Sequence, residues 1–305
     1  FIWDGRMMLK GLNPYLHLPE TFINQGYAPI NQATELYSGM GALNGSHYTN
    51  YPPINQLNFF IAALFNNSSI IGSIIALRLQ IILADIGIIY FGKKILEKLK
   101  LPVHNIFLYA LNPFIIIELT GNLHFESVML FFLVWSLYLI LQKKWSLAAL
   151  IFSLSVAVKL IPLLFLPLFY QWFTKDEKRK GILNFLSFGA IIIGINMLLF
   201  LPFLSSDLLD KYLSSVGLWF QKFEFNASLY YIARALGTLF RGYNEIAIIG
   251  KTTPVIVVIF LLIITLFRKN KSPQQLITAL LIGISFYYFT TTTMHPWYLT
   301  TLVIL

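Results

Sequence analysis

Long apolar runs separated by short polar turns dominate this chain. The runs cover residues 69–92, 103–119, 127–142, 182–203, 249–267 and 275–290. A helix needs roughly 20 apolar residues to cross the hydrocarbon core of a bilayer, and only helices and closed barrels satisfy their backbone polar groups there. The pattern therefore predicts an all-α polytopic integral membrane protein with about eight membrane segments.

One further apolar run, residues 146–172, is interrupted by Lys159 and Pro162. Each half has only about 13 residues, which is about 20 Å of helix and too short to span. A short re-entrant or tightly paired hairpin of broken helices is predicted here. Residues 1–67 hold no 20-residue apolar run, so they are predicted as a long loop outside the membrane, with an interfacial helix at 54–65. The transmembrane helical domain is placed at 68–305.

Charge sets the expected orientation of the chain. Only 11% of the residues are charged, less than half the share of a soluble domain, and this excludes a conventional nucleic-acid-binding protein despite the net charge of +9. The turns at 93–100, 143–144, 175–180 and 268–271 together carry 13 Lys/Arg and 3 acidic residues. The positive-inside rule places them in the cytoplasm and the long loops on the extracytoplasmic face. Arg78 and Asp85, inside one run, are expected to neutralise each other.

The residue types also limit the chemistry and the location. The chain has no Cys, which excludes disulfides, zinc–thiolate sites and thiol nucleophiles. That absence and the bias toward Ile, Asn, Lys and Phe indicate a multi-pass protein of a bacterial plasma (inner) membrane. The chain opens at Phe1 and closes inside an apolar run, so it is expected to be a piece of a longer protein, truncated at both ends.

Three outward turns share a chemical feature. Asn122 is placed to cap a helix holding His124 and Glu126 in its first turn, and Pro162 and Pro296 are natural first-turn residues beside Lys159 and His295. Unpaired N–H groups at such helix starts attract anions, and a nearby cation strengthens the site. Plain alternatives stay open for each residue, because Lys159 could snorkel, Glu126 could stabilise a helix start and the histidines could be ordinary loop residues.

Several short motifs occur in a characteristic order. They are Asp4-Gly5-Arg6, GlyLeuAsnProTyr at 11–15, TyrProProIleAsnGln at 51–56, LeuAsnProPhe at 111–114, GlyAsnLeuHisPheGlu at 121–126, ValLysLeuIlePro at 158–162 and HisProTrpTyrLeu at 295–299. In this order the chain resembles GT-C-type, polyprenol-phosphate-sugar-dependent glycosyltransferases, particularly bacterial mannosyltransferases. This similarity covers nearly the whole chain. It implies a GT-C-like helical bundle with a long first extracytoplasmic loop.

The resemblance implies an activity as well. It is the transfer of a hexose, with mannose favoured, from a polyprenyl-phosphate donor to a hydroxyl of a glycan, lipid or protein acceptor. The transfer would occur on the extracytoplasmic face and with inversion. The carboxylate pair that is central in that family is expected a few residues before Phe1, which leaves Asp4 as the nearest carboxylate, with local capping or pairing with Arg6 as its competing role.

The residues divide into expected roles. Inverting transfer needs a carboxylate to accept a proton and cationic groups to stabilise the departing phosphate. The expected catalytic residues are Asp4, Lys159 and His124, and the expected substrate-binding residues are Arg6, Glu126, His295, Trp297, Tyr15 and Asn122. No tightly bound cofactor is expected. A Mg²⁺ or Mn²⁺ ion is compatible with carboxylates beside a phosphate, although the ligands are not assigned.

Two other functions compete with glycosyl transfer. Broken helices also build transport sites, so a transporter or flippase for a lipid-linked or anionic solute is the first alternative. A non-enzymatic subunit of a membrane assembly is the second. The ionisable groups gather on one face, whereas a transporter site must be reached from both faces, and this favours the enzyme.

Overall fold

The computed structural model describes residues 1–226 and 228–305, and within them all side chains except those of residues 220 and 221. Across this part of the chain the α-helices are α1 Ile2–Leu9, α2 Pro19–Asn24, α3 Ala33–Gly45, α4 Pro53–Phe65, α5 Ile70–Leu99, α6 Phe107–Ala110, α7 Pro113–Ile115, α8 Glu126–Leu141, α9 Trp145–Val158, α10 Tyr170–Thr174, α11 Lys178–Phe200, α12 Leu208–Gly217, α13 Leu229–Arg241, α14 Ile246–Phe267, α15 Pro273–Thr290 and α16 Thr300–Ile304. Shorter 3-10 segments cover Pro14–Leu16, Val103–Ile106, Ile161–Phe169, Leu201–Phe203 and Pro296–Leu299, and π-helical turns cover Ile116–Gly121 and Leu218–Lys222. The described residues form no strand beyond an isolated bridge between Phe225 and Thr293.

Three of these helices are long and apolar enough to cross a membrane. They are α5, α11 with its following turn to Phe203, and α14; a fourth span is formed if the two halves of Val103–Gly121, bent by 46°, count as one. Helix α5 shows why a bilayer is required, because its apolar residues occupy both faces. Leu77 and Ile81 are buried against the protein, whereas Leu79 and Leu83 are 55% and 67% exposed. The chain is an all-α polytopic membrane protein.

The interior is centred on helix α8. This helix packs between α5 and α9, α9 in turn packs against α11, and α1 packs against α4. Gly5 permits the last contact, since a Cβ atom at this position would lie 2.1 Å from the carbonyl oxygen of Phe59. The break predicted at Lys159 and Pro162 is confirmed, because α9 ends at Val158 and a 3-10 segment begins at Ile161. The re-entrant or paired arrangement of the two halves stays a prediction.

Some predicted elements differ from the observed ones. The helix predicted at 54–65 is present as α4, whereas residues 1–52, predicted as loop, contain α1, α2 and α3. The location of residues 1–67 outside the membrane and the domain division at 67/68 stay predictions. The run 103–119 is not one straight helix: Pro113 removes a backbone donor, and the segment is bent. The polar region 204–246 contains α12 and α13, with residue 227 outside the described residues. Beside the long helices, α4, α8, α9 and the 161–174 segment are short apolar helices, so the count of eight segments stays a prediction.

The expected pairing of Arg78 with Asp85 is wrong. Arg78 donates instead to the carbonyl oxygens of Thr120 (3.0 Å) and Gly121 (3.3 Å), where the π-helical turn leaves carbonyls without helical partners. Asp85 accepts hydrogen bonds from the hydroxyls of Tyr109 (2.8 Å) and Ser127 (2.5 Å). Both side chains therefore fasten the bent segment and the start of α8 to α5, at the end of the bundle where His124 lies.

Candidate active site

A cavity of about 650 Å³ lies where segments from distant parts of the chain meet. Its walls come from α1, residues 14–19 and 40–52, the turn before α8, the break after α9, residues 216–219 and 223–225, and residues 287–298. The ionisable and histidine side chains that line it are Asp4, His17, His47, His124, Lys159 and His295. A polar cavity that gathers such groups at one end of an apolar bundle is the default location for the chemistry of a membrane protein.

Lys159 is positioned by the break in the hairpin. Its backbone is extended, with φ −148° and ψ 141°, and directs the side chain across to α8. There its Nζ donates to Oε1 of Glu126, which lies in the first turn of α8 and is completely buried. Oε2 of Glu126 has no hydrogen-bond partner. The Lys159 side chain keeps 15% of its surface exposed, so the cation reaches the cavity while its counter-ion stays inside the protein.

Three rings stack beside this ion pair. The ring of His124 lies 3.5 Å from that of Trp297, and Trp297 lies 4.3 Å from His295, nearly parallel in both cases. Phe225 extends the column, at 4.8 Å from His295. The Phe225–Thr293 bridge fixes its far end, with Phe225 N–H donating to Thr292 O (3.1 Å). Since Trp297 lies between His124 and His295, both of its faces are covered, and the column lines the cavity as one stacked unit.

Both histidines in the column are neutral near pH 7. Burial, with the charge of Lys159 and the ring of His295 as further causes, lowers the pKa of His124 to about 3. Burial and Lys159 lower the pKa of His295 to about 4. They can therefore offer a neutral N–H or a lone pair to a ligand, while Lys159 supplies the positive charge. Nδ1 of His295 is buried without a partner.

Asp4 lies in the first turn of α1 and lines the cavity. Its Oδ2 accepts a hydrogen bond from Nε2 of Gln56 (3.0 Å), and the same nitrogen donates to Thr49 Oγ1 (2.9 Å). Among the described residues that line the cavity, Asp4 is the one carboxylate. A carboxylate held by an amide donor keeps its remaining lone pairs for a proton or a ligand.

Arg6 does not join Asp4 or the cavity. Only 2% of the surface of Arg6 is exposed, and its Nη1 donates to Asn31 O (2.7 Å) and Gln32 Oε1 (3.1 Å). Burial lowers the pKa of Arg6, with the charge of Glu35 opposing this effect. Asp4 therefore lines the cavity, whereas the Arg6 side chain lies on another side of α1, against Asn31 and Gln32.

Three other predicted residues lie outside the cavity lining, namely Glu126, which is buried and paired with Lys159, and Tyr15 and Asn122. Tyr15 is fully buried, and its hydroxyl donates to the carbonyl oxygen of Tyr51 (2.6 Å), so it supports a cavity wall from behind. Asn122 is exposed and follows the π-helical turn. The expectation that Asn122 caps α8 is wrong, because the cap position is Phe125, which leaves His124 before the helix rather than in its first turn. A left-handed residue, Leu123 at φ 59°, separates the two elements.

Sequence reasoning missed several residues of the site. Gln56 and Tyr298 both lie within motifs noted in the sequence, but nothing in their spacing distinguished them from their neighbours. Nζ of Lys159 lies 5.9 Å from the ring centre of Tyr298. Trp219 and Thr293 also line the cavity, and no sequence signal indicated either. Within the described residues, no group of three or more His, Asp or Glu side chains is arranged to hold a metal ion.

The fold and the cavity define a membrane-embedded protein whose cavity, at one end of the helical bundle, is lined by Asp4, Lys159 and several histidines. The family model described as alpha-(1->6)-mannopyranosyltransferase, N-terminal domain, matches residues 1–175, more than half of the chain. A second model, ALG3 protein, matches residues 122–234. No curated protein matches the chain. The chain belongs to the alpha-(1->6)-mannopyranosyltransferase family, and it is a glycosyltransferase of the mannosyltransferase type.

Proposed function

We propose that this enzyme transfers mannose from a polyprenyl-phosphate donor to a hydroxyl acceptor on the extracytoplasmic face, with inversion at the sugar. The observation that carries the proposal is the lysine at the break after α9: Lys159 reaches a cavity that is also lined by the carboxylate of Asp4 and by a column of stacked aromatic rings. A cation at the departing phosphate and a base at the acceptor are the two groups that inverting transfer requires.

The reaction follows from these groups. The Asp4 carboxylate accepts the proton of the acceptor hydroxyl, whose oxygen forms the new bond to the anomeric carbon. The bond from that carbon to the phosphate oxygen breaks, and the electron pair leaves with the lipid phosphate. Lys159 stabilises the developing phosphate charge, and neutral His124 and His295 donate N–H groups to it or to the sugar. Since a lipid phosphate is a good leaving group, no strong general acid is needed.

A second, apolar cavity supports a lipid-linked donor. It has a volume of about 250 Å³, and Leu160, Ile161 and Tyr287 line both cavities. Leu160 and Ile161 directly follow Lys159, so a phosphate bound at Lys159 would have its lipid chain at the mouth of the apolar space. A soluble nucleotide donor would have no use for this space.

The orientation is supported by the charge pattern. The turns at the opposite ends of the helices carry the 13 Lys/Arg, so the positive-inside rule directs the cavity away from the cytoplasm. The same proposal places the enzyme in a bacterial plasma membrane and gives it a glycan, lipid or protein as the acceptor. A Mg²⁺ or Mn²⁺ requirement stays a prediction, with Asp4 as the cavity carboxylate able to contribute an oxygen ligand.

The donor is tested with membranes that contain the protein, supplied with radiolabelled polyprenyl-phosphate mannose or with nucleotide-linked mannose. We expect label from the lipid donor to enter an acceptor directly, and NMR of the product to show an anomeric configuration opposite to that of the donor. Transfer from the nucleotide sugar alone, under conditions that prevent synthesis of the lipid donor, would overturn the proposed donor. Retention of configuration would overturn the single-displacement mechanism.

A further inference from the structure

Helix α13 carries an apolar face that no step of mannosyl transfer uses. Leu229, Ile232, Leu236, Leu239 and Phe240 follow the spacing of one side of a helix and fall within an arc of about 100°. We call these five residues the α13 apolar face. Between 49% and 87% of the surface of each is exposed. Contiguous exposed apolar area of this kind marks a surface that has a partner.

The opposite side of α13 is fastened to the two segments that flank the helix along the chain. Glu224 accepts hydrogen bonds from Tyr230 (2.5 Å), Arg234 (2.8 Å) and Asn244 (3.1 Å), and Arg241 forms an ion pair with Glu245. Tyr230 is 1% exposed. These contacts set the rotation of the helix about its axis. The α13 apolar face is therefore held pointing away from the rest of the protein.

The position of α13 is limited by the helix that follows. α13 ends at Arg241, Gly242 turns the chain in the left-handed conformation at φ 79°, and the membrane-spanning α14 begins at Ile246. The short connection reaches at most about 17 Å. The start of α14 lies at the end opposite the basic turn 268–271, and its own outer residues, such as Val255 and Ile259, are 57% and 52% exposed. α13 consequently lies beside the lipid that surrounds α14.

We propose that α13 lies in the membrane–water interface, with its apolar face in the outer part of the acyl-chain region and its Arg-bearing side toward the headgroups. Amphipathic helices with an apolar face and basic residues opposite bind bilayer surfaces in this way. Tyr231, on the polar side of α13, and Tyr243, just after its end, are 40% and 58% exposed, and tyrosines are enriched at the headgroup level of membranes. The partner is thus the lipid surface itself.

The test uses the absence of Cys from the chain, which allows single cysteines to be introduced without background. Leu236→Cys and Leu239→Cys report on the apolar face. Thr238→Cys is the matched control on the same helix, because Thr238 is exposed on the opposite side. Each variant is spin-labelled and reconstituted into vesicles of phosphatidylethanolamine and phosphatidylglycerol. Collision rates with molecular oxygen, which enters lipid, and with a polar nickel chelate, which stays in water, are then measured.

We expect labels at 236 and 239 to favour oxygen over the nickel chelate by several-fold, and the label at 238 to show the reverse. Equal access of the chelate to 236, 239 and 238 would place the face in water and overturn the proposal. Exclusion of both reagents at 236 and 239 would show that protein, such as a second copy of the chain, covers the face, and would overturn it as well. None of these measurements depends on transfer activity, so they stand apart from the proposed function.

Discussion

Lys159 and Glu126 form the ion pair on which the site depends, and their burial makes them sensitive to single changes. Glu126 is fully buried and Lys159 mostly so. Removing one partner of a buried pair leaves an uncompensated charge and typically costs about 3–5 kcal/mol, whereas replacing both costs much less. We expect Lys159→Met to lower the free energy of unfolding by an amount in this range, and Lys159→Met combined with Glu126→Gln to recover most of it.

This expectation is measured by denaturant or thermal unfolding of the detergent-solubilised protein. Lys10→Met is the matched control, because Lys10 is an exposed lysine outside the cavity lining. If the double variant were as unstable as Lys159→Met alone, the two side chains would not act as a pair. Because neither variant should transfer mannose normally, the comparison uses the free energy of unfolding and not the transfer rate.

The buried histidines predict a dependence of stability on pH. The pKa of His124 is lowered to about 3 and that of His295 to about 4, against about 6.5 in an unfolded chain. Below pH 6.5 the unfolded state binds protons that the folded state does not, so the free energy of unfolding should fall between pH 6.5 and about 4 and should not change on their account above pH 6.5.

The measurement is the unfolding midpoint of the solubilised protein between pH 7.5 and 5. We expect His295→Gln to reduce the slope in this window, while His104→Gln, a change at an exposed histidine, should leave the slope unchanged. A slope unaffected by His295→Gln would contradict the assignment of a neutral, buried imidazole.

Residue identity alone predicted part of the site. Asp4, His124, Lys159, His295 and Trp297 were selected from motifs and do line one cavity. Arg6 was selected on the same grounds, yet it points behind α1, because which side of a short helix faces a cavity depends on packing that spacing cannot show. The neutral state of the histidines could not be predicted either, since it results from burial and from Lys159, which is distant in sequence.

At the scale of elements, the contact between α1 and α4 positions the candidate base. Gly5 follows Asp4, and an added Cβ would meet the backbone carbonyl of Phe59 at 2.1 Å. Backbone cannot give way as a flexible side chain can, so overpacking of this kind should cost about 1–3 kcal/mol. We expect Gly5→Ala to separate the helices, lower stability by that amount and reduce mannosyl transfer through the displacement of Asp4.

Gly39→Ala is the matched control for this change. Gly39 is also a helical glycine, and an added Cβ there meets nothing within 4 Å. Its unfolding midpoint and transfer rate should equal those of the unchanged protein or exceed them slightly, because alanine is the better helix former. Equal effects of the two substitutions on transfer would contradict a role for the α1–α4 contact.

The lengths of the apolar runs predicted the long apolar helices and the short apolar helices α4, α8 and α9. The bounds of α4, α8 and α14 and the break between α9 and Ile161 agree with the apolar runs closely, because run length and proline position decide them locally. The bend within 103–121 and the helices α1, α2 and α3 were not predicted. Both depend on tertiary contacts, such as the hydrogen bonds from Arg78 to Thr120 and Gly121, which polar composition alone does not reveal.

At the scale of the whole molecule, the site exists only because the chain folds as one bundle. Asp4, Lys159 and His295 line one cavity, although each is more than 130 residues from the next in the sequence. The family match to residues 1–175 covers the first two of them and stops before the third. Residues 295–297, which contribute to the aromatic column, therefore complete the site from outside the matched region. The order of the motifs predicted that they belong to the site, but no local pattern could predict their position.

The most direct test of the central claim is mannosyl transfer by Lys159→Gln compared with Lys10→Gln, in membranes supplied with radiolabelled polyprenyl-phosphate mannose and with protein amounts matched. Loss of one group that stabilises transition-state charge typically costs about 10²–10³ in rate. We expect a loss of this size for Lys159→Gln and no loss for Lys10→Gln. A Lys159→Gln protein that is present, folded and transfers mannose at the unchanged rate would show that the cavity around Lys159 is not where the sugar leaves its phosphate.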